Sequence, residues 1–402
     1  MQNARFITAP LSGWLDLVRA LAALAVVVGH THLLGLYTGP YPFTHIFELN
    51  AVVVFFVLSG MVIASSADRD DMDGRRYVAA RVARIVPVAW AALAISFGVA
   101  LYGQSQGLAP KPVGMDPGGV SLVRTLRAAL FLDQSWSGGL AINPPWWSLS
   151  CEVWFYVLFG LGTWLQGPKR IAALALAGLM AGTNVLLMLP IWLVGVLLVR
   201  LPALRIVSLV RGTALVLLAF FALQASVVAY VLLEPITLPI AALYPGHSQY
   251  ALGYLAIALG VAGGFAGLRA LVGERGFLPA RIMPAVNWAA NMSFSLYVLH
   301  WPLLVLLKAN GITAGTSLAG FIGIIALVGA AAGLFAHLVE HRCKPLRRWL
   351  EQVLGAAQRI STNSSAIEGC KATVASKSAL VSLACTAIAA AWRISGASGP
   401  IM

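Results

Sequence analysis

Residues 15–36 read LDLVRALAALAVVVGHTHLLGL, and this stretch decides the fold. It is long enough to cross the hydrocarbon core of a bilayer, which takes roughly 20 mostly apolar residues. It nevertheless contains Asp16, Arg19, His30 and His32. No small-residue cleavage site follows a short apolar core, so we predict a retained first membrane helix and not a signal peptide.

The composition of the whole chain agrees with this prediction. Of the 402 residues, 59% are hydrophobic and 10% are charged, whereas ordinary soluble domains are about a quarter charged. So little charge cannot cover a water-soluble globule, and so much apolar surface excludes a disordered chain. The net charge of +13 does not require a nucleic-acid partner, and none is expected, because membrane proteins collect Lys and Arg in cytoplasmic loops.

Ten segments are apolar enough to be membrane helices. They are residues 15–36, 46–66, 77–102, 146–165, 171–188, 189–200, 212–233, 249–270, 285–308 and 318–340. The sixth segment is short, and Pro190 marks the expected break between it and the fifth. The longest connection, residues 103–145, is rich in Gly and Pro and contains a predicted amphipathic helix at 121–132.

The distribution of basic residues sets the predicted topology. With the N-terminus inside, the inner loops hold most of the Lys and Arg, and the outer side holds only Lys111, Arg124, Arg127 and Lys308. We therefore predict an all-α polytopic membrane protein with about ten transmembrane helices and both termini in the cytoplasm. Residues 11–350 would form the transmembrane domain, and residues 351–402 a low-complexity tail that is disordered or lies on the membrane surface.

A few ionisable side chains fall inside the predicted helices, where charge is costly and a functional site is the default hypothesis. Arg19 and His30 share one face of the first helix, about 16 Å apart along its axis. Glu152 and His300 reach the predicted depth of His30 from two other segments. We predict a polar cavity in the outer half of the protein. The alternative is that these groups neutralise one another and hold the helices together.

Arg81 and Arg84 lie three residues apart on one face of the third helix, at the predicted cytoplasmic boundary. Two guanidinium groups there suit a phosphorylated ligand. Anchoring to lipid phosphates is the alternative interpretation.

Five sequence segments occur in one order along the chain. They are LDLVRALAA (15–23) running into Gly29-His30, VFFVLSG (54–60), RVARIVP (81–87), WSLSCEVWFY (147–156) and SFSLYVLHWP (293–302). Together with Glu340 and Pro345, these segments resemble the acyltransferase-3 family of bacterial integral-membrane acyltransferases. Two features depart from the family pattern. Val54 replaces the usual acid before the Phe-Phe pair, and residues 355–402 are too short for the soluble C-terminal domain of many members.

The resemblance implies an O-acyltransferase of the bacterial inner membrane. Such an enzyme moves an acyl group, usually acetyl, from cytoplasmic acyl-CoA to a hydroxyl of a carbohydrate, either an envelope polysaccharide or a glycolipid. No metal cofactor is expected. The acceptor would contact the outer loops, where Asp133, Trp136 and His247 are candidates, although each of them is also an ordinary interfacial or loop residue.

The resemblance also implies roles for the buried charges. His30 would be the general base, since its unperturbed pKa lies near neutrality, and His300 belongs to the same catalytic layer. Glu152 would orient His30 or stabilise its imidazolium. Arg19, Arg81 and Arg84 would hold the nucleotide phosphates of acyl-CoA. A covalent acyl-histidine intermediate is the alternative mechanism.

Two other function classes stay open at this stage. His337-Leu338-Val339-Glu340-His341 matches the H-x-x-E-H signature of a zinc hydrolase, in which two histidines one helical turn apart bind the metal. A transporter with buried charges along its substrate path is the second alternative. The four cysteines contain no Cys-x-x-Cys pair, so neither a zinc ribbon nor a disulfide framework is expected.

Overall fold

The computed structural model describes residues 6–43, 47–111, 117–136, 139–201, 208–241, 247–343 and 345–354. The chain divides into two units, residues 1–350 and 351–402, and the first of them is described below. The predicted low-complexity tail lies outside the described residues beyond position 354.

All regular elements in the described ranges are helical, apart from an isolated bridge between Tyr37 and Gly315. The helices are α1 (Ala9–Leu33), α2 (Phe47–Ala67), α3 (Gly74–Ser105), α4 (Leu122–Ala129), α5 (Trp146–Trp164), α6 (Gly167–Arg200), α7 (Leu209–Gln224), α8 (Ser226–Ala241), α9 (Ala251–Val272), α10 (Met283–Ala309) and α11 (Leu318–Leu338). Two short 3₁₀ helices lie between α8 and α9 (His247–Tyr250) and after α11 (Glu340–Cys343).

Seven helices in the described part of the chain are long and apolar enough to cross a membrane, and the bent pair α7–α8 would make an eighth. The prediction of an all-α polytopic membrane protein is therefore confirmed. Counting α5 and each half of α6 as spans would give ten. The number ten and the cytoplasmic placement of both termini stay predictions.

Helix α6 breaks at Gly182 and not at Pro190, so the predicted position of the break was wrong. Gly182 has φ 81° and ψ 171°, a conformation that essentially only glycine adopts. A Cβ on Gly178 would lie 3.9 Å from the side chain of Leu186, eight residues further along the chain. A straight helix would hold these two residues about 12 Å apart, so α6 bends between them. Pro190 is accommodated within the second half of the helix.

The predicted single span at 212–233 is also divided, into α7 and α8, which meet at 67°. Asn50 of α2 stabilises this break. Its Nδ2 donates to the carbonyl oxygen of Leu223 at 3.0 Å and to Ser226 Oγ at 2.8 Å. Tyr230 Oη donates to Asn50 Oδ1 at 2.7 Å. A backbone carbonyl beside the bend is therefore satisfied inside the protein, as a bilayer requires.

The connection between α3 and α5 is partly helical and partly buried. Its predicted amphipathic helix is present as α4, with Ser121 as N-cap. After α4 the chain enters the protein interior. Trp154 Nε1 of α5 donates to the Phe131 carbonyl of this segment at 3.0 Å, and the segment's Asn143 Nδ2 donates to the Val298 carbonyl of α10 at 3.1 Å. This irregular segment is thus tied to α5 and α10.

Helices α2 and α6 approach each other closely at two glycines. A Cβ on Gly195 would lie 2.0 Å from the Val57 carbonyl oxygen, and one on Gly60 would lie 2.2 Å from the Trp192 carbonyl oxygen. Small residues permit such backbone contact between membrane helices. The largest hydrophobic core surrounds this contact and includes residues of α2, α5, α6 and α9.

We predict that Gly195→Ala separates α2 from α6 and lowers the thermal stability of the purified protein, by roughly 1–3 kcal/mol as for other overpacked contacts. Gly323→Ala is the matched control, because a Cβ there meets nothing within 4 Å. Fluorescence-detected thermal unfolding of both variants measures the difference. Equal melting temperatures for the two variants would contradict the proposed close contact.

Candidate active site

His30 of α1 and His300 of α10 are in direct contact. His300 Nε2 lies 2.9 Å from His30 Nδ1, and the ring centroids are 4.9 Å apart. Trp301 packs edge-on against the His30 ring, with 5.3 Å between centroids. His300 is fully buried, and His30 is half-buried. Two of the three side chains predicted for the catalytic layer therefore meet.

A backbone carbonyl sets the direction of the histidine hydrogen bond. The Tyr297 carbonyl oxygen lies 2.6 Å from His300 Nδ1. Because a carbonyl only accepts, Nδ1 of His300 carries hydrogen, and Nε2 of the neutral ring is an acceptor. His30 Nδ1 then donates to His300 Nε2. This tautomer leaves Nε2 of His30 with a free lone pair, the form that a general base needs.

A cavity of about 250 Å³ is lined by Tyr297 but by neither of these two histidines. The three predicted arginines, Arg19, Arg81 and Arg84, all line it. Glu152 of α5 lines the same cavity. The structure thus gathers the predicted phosphate-binding residues around the predicted carboxylate, while the two histidines form a separate group beside them.

Glu152 belongs to a hydrogen-bonded chain that leads away from the histidines. Tyr156 Oη donates to Glu152 Oε1 at 2.6 Å. Because the Tyr156 hydroxyl hydrogen is used in the bond to Glu152, Ser59 Oγ is the donor to Tyr156 Oη, at 2.9 Å. Trp192 Nε1 donates in turn to Ser59 Oγ at 3.1 Å. No hydrogen bond joins Glu152 to His30 within the described residues, and the partner of His30 is His300. The sequence predicted that Glu152 and His30 lie at the same depth in the membrane. Depth alone does not determine towards which neighbouring helix the Glu152 side chain is directed.

Tyr297 joins the cavity to the histidine pair. Its side chain lines the cavity, and its ring centroid lies 5.7 Å from that of His300. Its hydroxyl donates to the Pro145 carbonyl at 3.1 Å and shares a short hydrogen bond with Ser148 Oγ. Phe55 of α2 meets the tyrosine ring edge-on, 5.9 Å between centroids. Tyr297 therefore ties α10 to the start of α5 and forms the wall between the two groups.

The three arginines differ in how the protein already engages them. Arg19 Nη1 forms an ion pair with Asp16 Oδ1 at 3.1 Å. The Arg81 guanidinium lies over the Tyr156 ring, 5.8 Å from its centroid, and its buried Nε has no hydrogen-bond partner among the described residues. Arg84 is exposed and makes no ion pair or hydrogen bond with another described residue. Arg84 is consequently the arginine most available to an anionic ligand.

Asp133 is buried in the segment between α4 and α5, with 3% of its surface exposed. Ser150 Oγ donates to its Oδ1 in a short hydrogen bond, and Gln134 Nε2 donates to its Oδ2 at 3.1 Å. Burial raises the pKa of Asp133 to about 6, although both hydrogen bonds favour the ionised form. The side chain joins this segment to α5.

The other two candidates for acceptor contact are also held by neighbouring elements. Trp136 Nε1 donates to the Leu179 carbonyl, in the first half of α6, at 3.1 Å. His247 stacks on Trp147 of α5, with 4.3 Å between ring centroids. Each side chain thus has a packing role in the fold, and an acceptor role for either stays a prediction.

The acid of α2 is Glu48, in its first turn. Glu48 has 8% of its surface exposed, and its carboxylate packs against α1, because a Cβ on Gly29 would lie 2.7 Å from Glu48 Oε2. Val54, which replaces the usual acid, packs against the hydrophobic core. A carboxylate therefore does lie beside the residue that precedes His30, six residues earlier in α2 than the family pattern suggests.

The H-x-x-E-H motif does not lie on a continuous helix. Helix α11 ends at Leu338, and Glu340–Cys343 form a 3₁₀ turn. The rings of His337 and His341 are 6.4 Å apart between centroids and almost perpendicular, at 88°. Glu340 Oε2 accepts a hydrogen bond from Ser295 Oγ of α10 at 2.6 Å. The zinc interpretation requires His337 and His341 to lie one turn apart on one helix, and the described structure does not have this arrangement.

Sequence reasoning overlooked three polar partners in this region. Tyr156 lies four residues after Glu152, and Tyr297 three residues before His300. Helical spacing of three or four residues from a buried charge was therefore the available signal. Ser59 carried no such signal, because its partners Tyr156 and Trp192 lie on other helices.

Comparison with known proteins identifies the family. Residues 12–336 match the sequence profile described as an acyltransferase domain, that of the acyltransferase-3 family. This range covers most of the chain and contains all six predicted site residues. The chain therefore belongs to the acyltransferase-3 family, and its described helices are those of a multi-pass membrane protein.

One named relative supports the assignment over a shorter range. The chain is 36% identical over 125 residues to acyltransferase MdmB of Streptomyces mycarofaciens. The match covers 30% of this chain and 29% of the relative, so the chain spans less than a third of the relative's length in this comparison. No solved structure matches the chain.

The raised pKa of Asp133 predicts a specific pH dependence. Its folded pKa of about 6 exceeds the unfolded value of about 3.9, so the folded state binds the proton more tightly. The resulting stability is complete below about pH 4 and is lost as pH rises through about 6. Asp133→Asn should remove this loss. Between pH 4 and pH 8, the free energy of unfolding of the wild type should therefore fall by on the order of 2–3 kcal/mol more than that of the variant.

Thermal unfolding of both proteins between pH 4 and pH 8 measures this difference. Asp70→Asn serves as the control, because Asp70 is an exposed carboxylate. If the melting curves of wild type and Asp133→Asn shift in parallel across this pH range, Asp133 does not titrate as described.

Proposed function

We propose that the protein transfers an acyl group from acyl-CoA to a hydroxyl of a carbohydrate, with His30 as general base. The observation that carries this proposal is the chain from the Tyr297 carbonyl through His300 to His30. Hydrogen bonds of 2.6 Å and 2.9 Å support a tautomer in which His30 Nε2 is a free base. This arrangement parallels other catalytic histidines whose second nitrogen is held by a fixed partner.

The reaction follows from this tautomer. His30 Nε2 takes the proton of the acceptor hydroxyl as its oxygen attacks the thioester carbonyl. The resulting tetrahedral adduct collapses, the C–S bond breaks, and the CoA thiolate receives the proton from the His30 imidazolium. Throughout these steps His300 Nε2 accepts from His30 Nδ1, which holds the ring in place. His300 is thus a positioning residue, in the role first given to Glu152.

The polar cavity suits the donor. CoA carries several phosphate charges, and Arg19, Arg81 and Arg84 supply three guanidinium groups around one cavity, a favourable setting for charge-assisted hydrogen bonds to phosphate. We place the pantetheine arm along this cavity towards Tyr297, with an acetyl group as the transferred acyl. The concentration of basic residues in the predicted inner loops supports a donor side in the cytoplasm.

The acceptor is proposed to be a hydroxyl of an envelope polysaccharide or a glycolipid, reached at the side of the bacterial inner membrane away from the donor. The position of His30 near the end of α1 supports this placement. His30 is the fourth residue from the C-terminus of that helix, while Arg19 lies about 16 Å back along the axis.

Substitution of the histidines tests the base and its partner separately. His30→Ala should lower acyl transfer by about 10²–10⁴-fold, the usual contribution of general base catalysis. His300→Leu should also impair turnover, whereas His300→Gln should retain part of it, because the glutamine oxygen can accept from His30 Nδ1. The assay is release of free CoA thiol by purified protein in nanodiscs.

His337→Ala provides a matched control for this experiment, since His337 is an exposed histidine of α11. Normal acyl transfer by His30→Ala would remove the assignment of His30 as base. Absence of acyl-CoA consumption by the wild type with any hydroxyl acceptor would instead favour the transport alternative. Acid-trapped acyl-protein that disappears in the His30→Ala variant would favour the acyl-histidine route.

The arginines make a further prediction. Arg84→Gln should raise KM for acyl-CoA by roughly tenfold or more, the usual effect of a lost hydrogen bond to a charged group. Protein stability should change little, because Arg84 is exposed. Arg76→Gln, at another exposed position of α3, is the control. An unchanged KM in Arg84→Gln would contradict phosphate binding by this residue.

A further inference from the structure

A second cavity, of about 320 Å³, lies between the first half of α3 and α5. We call it the α3–α5 groove. Its lining begins at Gly74, the first residue of α3, and reaches Trp164, the last residue of α5. Charged and exposed residues adjoin both helix ends, namely residues 68–71 before α3 and Lys169 and Arg170 after α5. One end of the groove therefore lies at the aqueous boundary that the basic loops predict to be cytoplasmic.

Two aromatic rings form this end of the groove, and each is packed against a glycine of the facing helix. Tyr77 of α3 and Trp164 of α5 are 4.7 Å apart between ring centroids. A Cβ on Gly160 would lie 3.0 Å from the Tyr77 ring, and one on Gly74 would lie 3.3 Å from the Trp164 ring. The rings are thus held in place, and aromatic faces of this kind bind nucleobases by stacking.

About 10 Å further along α3 than Gly74, the groove adjoins the arginine-lined cavity. Arg81 and Tyr156 line both spaces, and the guanidinium lies over the tyrosine ring at 5.8 Å. Among the described residues, the buried Arg81 Nε has no hydrogen-bond partner, although a buried donor normally has one. An anionic group between the two spaces would supply the missing acceptor.

We infer that the α3–α5 groove binds the adenine base of the acyl-CoA donor. The base stacks on Tyr77 and Trp164, and the diphosphate next to it accepts from Arg81 and Arg84. The pantetheine arm continues from there through the cavity towards Tyr297. This inference rests on the proposed function and adds to it the subsite that recognises the nucleotide.

The order of these sites along α3 matches the order of the groups along the donor. Arg81 lies about 10 Å from the start of the groove at Gly74, and Arg84 lies about 5 Å further on. In CoA the diphosphate likewise stands between the base and the thiol arm. A base in the groove therefore leaves the arginine-lined cavity to the phosphates and the arm, and it keeps the whole donor on one side of the membrane.

The charge of the two spaces divides the donor in the same way. Three arginines line the first cavity, which suits phosphates. Arg81 is the groove's single charged lining residue, and most of the others are apolar or aromatic. Adenine is uncharged at neutral pH and buries its flat faces readily, so it fits this lining, whereas a phosphate would lose its hydration there without compensation.

A truncated donor separates the base from the rest of the site. Acetyl-4′-phosphopantetheine keeps the thioester arm and one phosphate but has no adenine. Trp164→Leu should raise KM for acetyl-CoA by roughly fivefold or more, the usual effect of a lost stacking contact, and leave KM for acetyl-4′-phosphopantetheine unchanged. Release of free thiol by protein in nanodiscs measures both values.

Two further variants complete this experiment. Val78 lines the groove and has 47% of its surface exposed, so Val78→Trp should fill the groove without disturbing the core and reproduce the effect of Trp164→Leu. Trp288→Leu is the matched control, because Trp288 of α10 is 58% exposed and lines neither space. Equal rises in KM for both donors, or no rise for acetyl-CoA, would overturn the assignment.

Photolabelling tests the subsite without turnover. The probe is 2-azidoadenosine 3′,5′-bisphosphate, which carries the base and ribose of CoA, and the wild-type protein is held in phosphatidylcholine nanodiscs. We expect labelled peptides from residues 74–82 and 156–165, and labelling that falls several-fold with excess adenosine 3′,5′-bisphosphate. Labelling of other segments, or labelling that the excess nucleotide leaves unchanged, would overturn the inference.

The same preparation distinguishes failure of this inference from failure of the proposed function. Thiol release from acetyl-CoA is measured beside the labelling. Competed labelling of the groove without thiol release would support the adenine subsite and contradict acyl transfer. Thiol release with labelling outside the groove would contradict the adenine subsite alone.

Discussion

A polar side chain inside a bilayer must find its partner within the protein, and this constraint organises the whole site. Hydrocarbon offers no hydrogen bonds, so an unsatisfied group there costs several kcal/mol. The Tyr297 carbonyl meets this requirement for His300, and His300 meets it for His30. The same requirement fixes the tautomer of both rings. The reactivity proposed for His30 is thus a consequence of how α10 satisfies its own polar groups.

The constraint also explains which parts of the site the sequence could predict. Buried charge is so costly that residues such as His30, Arg81 and His300 could be selected from one sequence alone. Their distances along the helix axes could also be counted, because the rise per residue is fixed. The rotation of each helix about its axis could not be counted, so Glu152 was assigned to His30 although it faces Tyr156.

The breaks in the fold show a similar division. Pro190 was the obvious candidate for the break in α6, but a proline can be accommodated within a helix that bends, whereas the backbone at Gly182 leaves the helical conformation altogether. The bend after α7 had no local signal of this kind. It depends on Asn50, more than 170 residues earlier in the sequence, and long-range partners of that type are invisible to local patterns.

The close contact of α2 and α6 at Gly60 and Gly195 makes the packing around the cavity tighter on the α2 side than on the α3 side. Ser59 adjoins Gly60 and is bonded to Trp192 of α6, so the α2 wall of the cavity is fixed to its neighbour at backbone distance. Between the first half of α3 and α5, by contrast, lies an apolar-lined cavity of about 320 Å³. A rearrangement that widens the cavity is therefore accommodated more easily between α3 and α5 than between α2 and α6.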